Sequence, residues 1–215
     1  MILRALHADK RLKELGKQGM IIIKTSDVDV IVLCIYFDKQ MTNTSELWVQ
    51  MGNVSSVKDG RRFLPIHELC SLLSEITCRV LPGVHALSGC NTASSFFGNG
   101  KKLVYKILKD AASDFHDLDN LGDPDKDVAI SCSSRFVARL YDQKSFASSH
   151  HNINKLRVKL ATGRDASLVR LPPSEATLRQ HILRASFQTK VSHASCLAKP
   201  PLPSQKQAGT HQLFW

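Results

Sequence analysis

The chain lacks the paired cysteines that would announce a metal or redox site. Cys34, Cys70, Cys78, Cys90, Cys132 and Cys196 stand singly, with no CxxC pair among them. This spacing excludes the usual structural zinc frameworks. Cys34 and Cys70 sit in the apolar stretches VLCIYF and HELCSLL, where a thiol acts as a small core residue. The histidines supply no replacement: His7, His67, His85, His116, His181, His193 and His211 show no ligand spacing, and His150-His151 has no neighbouring ligands. No Ser-His-Asp arrangement can be argued. No apolar run has the length of a membrane span. Met1-Ile2-Leu3-Arg4 runs straight into a charged amphipathic segment, unlike a secretory signal. The expectation is a reducing, intracellular location, nuclear or cytoplasmic, with the sequons at Asn43 and Asn53 arising by chance.

Acidic residues are also scarce. Lys and Arg total 29 against 19 Asp and Glu, a formal charge of +10 over 215 residues. That excess favours polyanionic partners, DNA or RNA before all, while a solvated basic surface is the plainer reading. The length allows one domain, or one domain with a helical appendage, and a core that needs no disulfides.

The periodicity predicts an α/β chain. Residues 1–16 repeat leucine at helical spacing, with Gly16 and Gly19 as the stop. MIIIKT at 20–25 reads as a strand buried inside a sheet with helices on both faces. Ser26-Asp27-Val28-Asp29 then caps a helix over 30–37, although the β-branched run also allows one long strand. Residues 47–51 and 61–64 form a hairpin across a polar loop containing Gly52, Asp59 and Gly60. Pro65 opens a helix to Leu73. Helices are predicted over 82–97 and 101–110, around Gly98-Asn99-Gly100, with Phe96 and Phe97 in the core. The acidic, turn-rich stretch 113–127 reads as a surface linker. Helices over 130–141 and 146–160, and another opened by Pro172-Pro173-Ser174 to about residue 190, make a helical extension. The Pro- and Gln-rich tail reads as disordered.

Two constellations carry candidate chemistry. Asp27 and Asp29 are a close carboxylate pair at a predicted strand end, where α/β ligand sites lie. Both can reach one Mg²⁺ or Mn²⁺, which prefer oxygen ligands; a helix cap in a solvated turn explains the pair equally. Gly98, Gly100, Lys101 and Lys102 stand at a helix start, where free N–H groups and lysine charge can hold a phosphate. The alternative is a glycine-rich junction with exposed lysines. The run lacks the P-loop spacing, so nucleoside triphosphate hydrolysis is not indicated.

Four segments together resemble a known family: KTSDVDVIVLCIYF at 24–37, RRFLPIHELCSLL at 61–73, LPGVHALSGCNTASSFFGNGKKLVYKILK at 81–109 and LPPSEATLRQHILRASFQTK at 171–190. In this order they resemble the PIN-like domain of transposable-element-associated animal proteins, itself similar to flap endonucleases. The resemblance implies a PIN-like α/β domain with a central, mostly parallel sheet flanked by helices, plus a C-terminal helical extension. It implies a core over 1–112, an acidic linker over 113–127, helices over 128–197 and a disordered tail over 198–215. It also implies a carboxylate cluster that binds divalent metal for phosphodiester hydrolysis. Thr25-Ser26-Asp27-Val28-Asp29 matches the family's strand-end motif, and Gly89-Cys90-Asn91 its Gly-Cys-Asp turn, with Asn91 where aspartate is expected. The 98–102 run resembles the backbone-binding motif that follows.

The family's acidic helix motif, Glu-Glu-Ala-Asp-Thr-Arg, has no match before the helix at 2–15, and its Cys-rich tail has no match either. Two-metal catalysis sets two cations close together against their mutual repulsion, which demands several anionic ligands. Asp27, Asp29 and the neutral Asn91 would hold one metal weakly. The expectation is a catalytically degenerate domain that binds nucleic-acid backbone. The alternatives are an active nuclease completed by missing or partner sequence, and a protein-interaction scaffold.

Overall fold

The structure, a computed structural model, describes residues 1–52, 62–122, 127–142, 152–163 and 167–194. The expected loop residues Asp59 and Gly60, the His150-His151 pair, Cys196, the start of the 146–160 helix and the tail over 198–215 lie outside them. Among the described residues the chain is α/β and mostly helical, with a small mixed sheet.

Helix α1 (Ile2–Glu14) stops where Gly16 takes a positive φ of 60°. Strand β1 (Gly19–Lys24) leads through Thr25 into α2 (Val28–Phe37). The β-branched run of α2 is helical because the turn before it starts a helix: the Asp27 carboxylate accepts from the Asp29 N–H at 2.9 Å. Strand β2 (Thr44–Gln50) returns parallel to β1, and β3 (Phe63–Pro65) pairs antiparallel to β2. Helices α3 (Ile66–Leu72) and α4 (Glu75–Leu87) follow. Then come α5 (Lys101–Ala111), a run of 3₁₀ turns over Ala112–Gly122, α6 (Asp127–Tyr141), α7 (Ile153–Ala161) and α8 (Glu175–His193). No helix among the described residues is long and apolar enough to cross a membrane.

Several expectations need correction. The sheet order is β1-β2-β3, so β1 lies at an edge, not in the interior. Only one of its faces is covered: Ile23 is buried, while Met20 and Ile22 are 59% and 52% exposed. The sheet is evenly mixed, one parallel and one antiparallel pair. Helix α4 covers 75–87 and ends ten residues before Phe97. The 113–127 stretch is no linker as far as Gly122, because Phe115, Leu118 and Leu121 are 0–1% exposed. Phe97 is no core residue, being 62% exposed, whereas its neighbour Phe96 is buried.

Two apolar clusters result. One lies beneath the sheet and joins Ile23, Leu47 and Val49 to α1, α2 and α3. The other joins Leu87, Leu108, Phe115, Phe136, Leu156 and Ile182 from the helical half. The helical cluster takes in α4 and α5, so the two cores part at α4 and not near residue 112. The thiols of Cys34, Cys70, Cys78 and Cys132 are buried and free, and burial pushes Cys34 up to about 12. Buried Asp9 ties α1 to the start of β2. It accepts from the Asn43 backbone N–H at 2.8 Å and the Thr44 hydroxyl at 2.7 Å.

Gly83 is where α4 meets the 3₁₀ turns most closely. A Cβ there would lie 2.6 Å from the Leu118 carbonyl oxygen, a backbone atom. Gly83→Ala is expected to cost about 1–3 kcal/mol by forcing the two backbones apart. Thermal unfolding should register a melting temperature lowered by several degrees; an unchanged value would mean the two segments do not pack this closely.

Candidate functional site

The carboxyl end of β1 carries the predicted carboxylates. Thr25, buried, donates its N–H to the Gln50 carbonyl and accepts the Asp27 N–H on its hydroxyl at 3.0 Å. This fixes the turn that points Asp27 into the first turn of α2. Asp27 is exposed and Asp29 half-buried.

Asp29 has a partner that its sequence neighbours do not suggest. Its Oδ1 lies 2.6 Å from Nε2 of His85, on the last turn of α4. Burial lowers the His85 pKa; hydrogen bonding to Asp29 pulls it back and Lys101 pushes it further down. The contact is therefore a hydrogen bond from a neutral imidazole to a carboxylate, although its short distance would also suit an ion pair. Nε2–H donates, which leaves Nδ1 as an acceptor. Sequence reasoning set His85 aside as isolated. Its one clue was the helical spacing that puts it on the last turn of a helix ending near Gly89.

Lys101 completes the group. Although Lys101 is an exposed residue, its Nζ reaches back to the end of α4. There it donates to the His85 carbonyl at 3.1 Å, the Ser88 hydroxyl at 2.8 Å and the Gly89 carbonyl. A cation at a helix C-terminus satisfies orphan carbonyls and the local dipole. Burial lowers the Lys101 pKa, while Cys90 and Asp29 oppose that shift. Lys101, expected to meet phosphate, is thus held within the protein.

The Gly-Cys turn is built as tightly as its sequence suggests. Gly89 has a φ of 103°, and a Cβ on it would lie 2.7 Å from Ser95 Cα. Cys90 and Ala93 then exchange backbone hydrogen bonds of 2.9 and 3.2 Å, leaving Asn91 exposed at the tip. Among the described residues the Asn91 side chain finds no hydrogen-bond partner. The turn is pinned toward α8 by Thr92, whose hydroxyl donates to Gln188 at 2.8 Å. Asp29 and the turn are joined through His85 and Lys101, not through Asn91.

As a site for Mg²⁺ or Mn²⁺, this donor set is thin. Asp27 and Asp29 each keep one carboxylate oxygen outside the bonds described, and Asn91 adds no charge. Among the described residues no three His, Cys, Asp or Glu side chains group as a metal would require. These residues do not fit a two-metal centre.

The second expected element is open. Gly98, with a φ of 78°, and Gly100 have nothing within 4 Å of an added Cβ. Gly100 is the N-cap of α5, and no side chain caps that helix. Lys102, Lys106 and Lys109 follow at i, i+4 and i+7 on one exposed face, with Tyr105 between them at 46% exposure. Among the described residues none of the three lysines has an ion-pair partner. The opposite face, Val104, Ile107 and Leu108, is buried.

No protein-family model, curated protein or solved structure matches the chain.

His85 gives the site a pH signature. A folded-state pKa below the unfolded value of about 6.5 disfavours protonation in the native state. The associated stability is complete above about pH 6.5, falls as the pH drops through that value, and levels off below the folded pKa. Chemical unfolding of wild type and His85→Asn between pH 8 and pH 5 should show a shallower acid loss in the variant, with the His181 contribution common to both. Parallel curves would mean that His85 titrates as though unburied.

Proposed function

We propose that this chain is a PIN-like nucleic-acid-binding domain that grips the sugar-phosphate backbone and does not run two-metal hydrolysis. The observation that carries the binding reading is the α5 face. An uncapped helix N-terminus offers free N–H groups to phosphate, and Lys102, Lys106 and Lys109 continue the positive charge along the same side. The chain's charge of +10 adds long-range attraction for a polyanion. Lysines aligned along a helix contact phosphates without reading bases, so the interaction is sequence-tolerant.

The loss of hydrolysis follows from how the charges are used. The carboxylate of Asp29 is engaged by His85 at 2.6 Å. The Lys101 ammonium, held at 2.8 Å from Ser88, adds positive charge beside it. Both features reduce the pull of Asp29 on a divalent cation. Two carboxylates and one amide do not offset the repulsion of a metal pair.

Two measurements test this reading. Replacing Lys102, Lys106 and Lys109 together by alanine should weaken binding of unrelated sequences alike and lower the salt slope of log K by about 2 to 3, through fewer released counterions. Identical slopes by fluorescence anisotropy at several salt concentrations would leave the interaction-scaffold reading ahead. Purified chain incubated with flap or single-stranded DNA and Mg²⁺ or Mn²⁺ should show no appreciable cleavage, and Asn91→Asp alone should not restore it. Robust cleavage that disappears in Asp27→Ala would overturn the inactive reading.

A further inference from the structure

A second feature lies away from the carboxylates, between the 94–97 segment, the end of α6 and the first half of α8. It is a cleft of about 500 Å³, within the rough 300–1,000 Å³ span of small-ligand sites. Its floor is a fixed aromatic wall: Phe96 packs edge-on against His181 at 4.8 Å and against Tyr141 at 6.2 Å between ring centroids. Its rim carries Phe97, 62% exposed. Among the described lining residues Arg184 is the one charged at neutral pH, and none is acidic.

His181 adds a polar feature at the floor. The residue is 6% exposed, and its Nε2 donates to the Leu87 carbonyl at 2.7 Å. Burial lowers its pKa, so Nδ1 carries a lone pair. Among the described residues the one group that Nδ1 meets is the Ser94 hydroxyl, at 3.5 Å, the outer limit of a hydrogen bond. A buried acceptor so weakly satisfied can take a stronger donor from a ligand.

We propose that this cleft binds one nucleotide, its base against the Phe97 and Phe96 rings and its phosphate on Arg184. The base supplies a flat apolar face for the aromatics and N–H edges for His181. The phosphate supplies the anion that the Arg184 guanidinium favours. The nucleotide is either free or one unit of a single strand. A duplex keeps its bases stacked and cannot place one here. The strand source rests on the nucleic-acid reading of α5, from which the cleft rim is separated by the Gly98–Gly100 turn; the cleft itself does not.

The test uses the full chain in anisotropy titrations with a labelled oligothymidylate and a labelled duplex. AMP and TMP serve as competitors, with ribose 5-phosphate as the base-free control. Phe97→Ala and Arg184→Gln alter exposed side chains, and melting temperatures check their folding. If the proposal holds, Phe97→Ala weakens single-strand binding by about tenfold, the scale of one lost base stack, Arg184→Gln weakens it through the lost phosphate contact, and both leave duplex binding unchanged. The mononucleotides compete and ribose 5-phosphate does not. The α5 lysine triple variant should instead weaken single strand and duplex together. Mononucleotide binding that both cleft variants abolish, in a chain that binds no strand, would assign the cleft to free nucleotides and sink the α5 reading. Unchanged single-strand affinity in both variants, without competition by AMP or TMP, would overturn the cleft and leave the α5 reading standing. So would an equal loss for strand and duplex. Binding of no probe by wild type would overturn both.

Discussion

Helix α4 is the constraint on which the rest of the molecule depends. It is buried on nearly every side, with Thr77, Cys78, Val80, Pro82, Gly83, Val84, Ala86 and Leu87 all shielded. Cys78 belongs to the cluster beneath the sheet and Val84 to the helical cluster, while Leu81 packs against both. A helix with two apolar faces can join two cores that share little other contact. Close approach at Gly83 and the Arg79–Asp119 ion pair seat it on the 3₁₀ turns. That surface pair, with Arg79 largely exposed, adds little to stability beyond alignment.

The end of α4 also arranges the candidate site. Its last turn presents His85 to Asp29, and its orphan carbonyls gather Lys101 from the first turn of α5. One helix terminus therefore fixes two elements that lie far apart in sequence. The same arrangement divides the positive charge by role. Lys101 serves the fold, and the lysines one and two turns later remain outside. A helix start with adjacent lysines can thus have one turned inward to a C-terminus and the next turned outward.

The legible parts of the sequence were those set by local chemistry. Asp27 as a cap, Gly16 as a stop, Ser174 ahead of α8 and the Gly89 turn follow from one or two residues and their backbone preferences. The β2–β3 pairing and the helical form of 101–111 were equally readable. The misreadings share a cause. The 113–127 stretch was read by its acidic composition, yet it carries Phe115, Leu118 and Leu121. Leu118 and Leu121 stand three apart, the period of a 3₁₀ helix, on one buried side, and Phe115 is buried at the kink before them. MIIIKT was read as a doubly buried strand because apolar continuity is common there. A strand at a sheet edge can show the same run while one face stays open.

The sequence by itself determined that this is a basic α/β chain, with a capped carboxylate pair after its first strand and a glycine-rich entry to a lysine-bearing helix. These features depend on residues within a few positions of one another. Only the tertiary structure decided which charges are free. His85 lies 56 residues from Asp29 in sequence, and Lys101 lies 16 from His85. Their contacts exist because α4 is packed from both sides. No periodicity in the chain encodes which of two adjacent lysines finds a carbonyl and which faces water. Nor does it show which of two adjacent phenylalanines becomes the floor of a cleft and which its exposed rim.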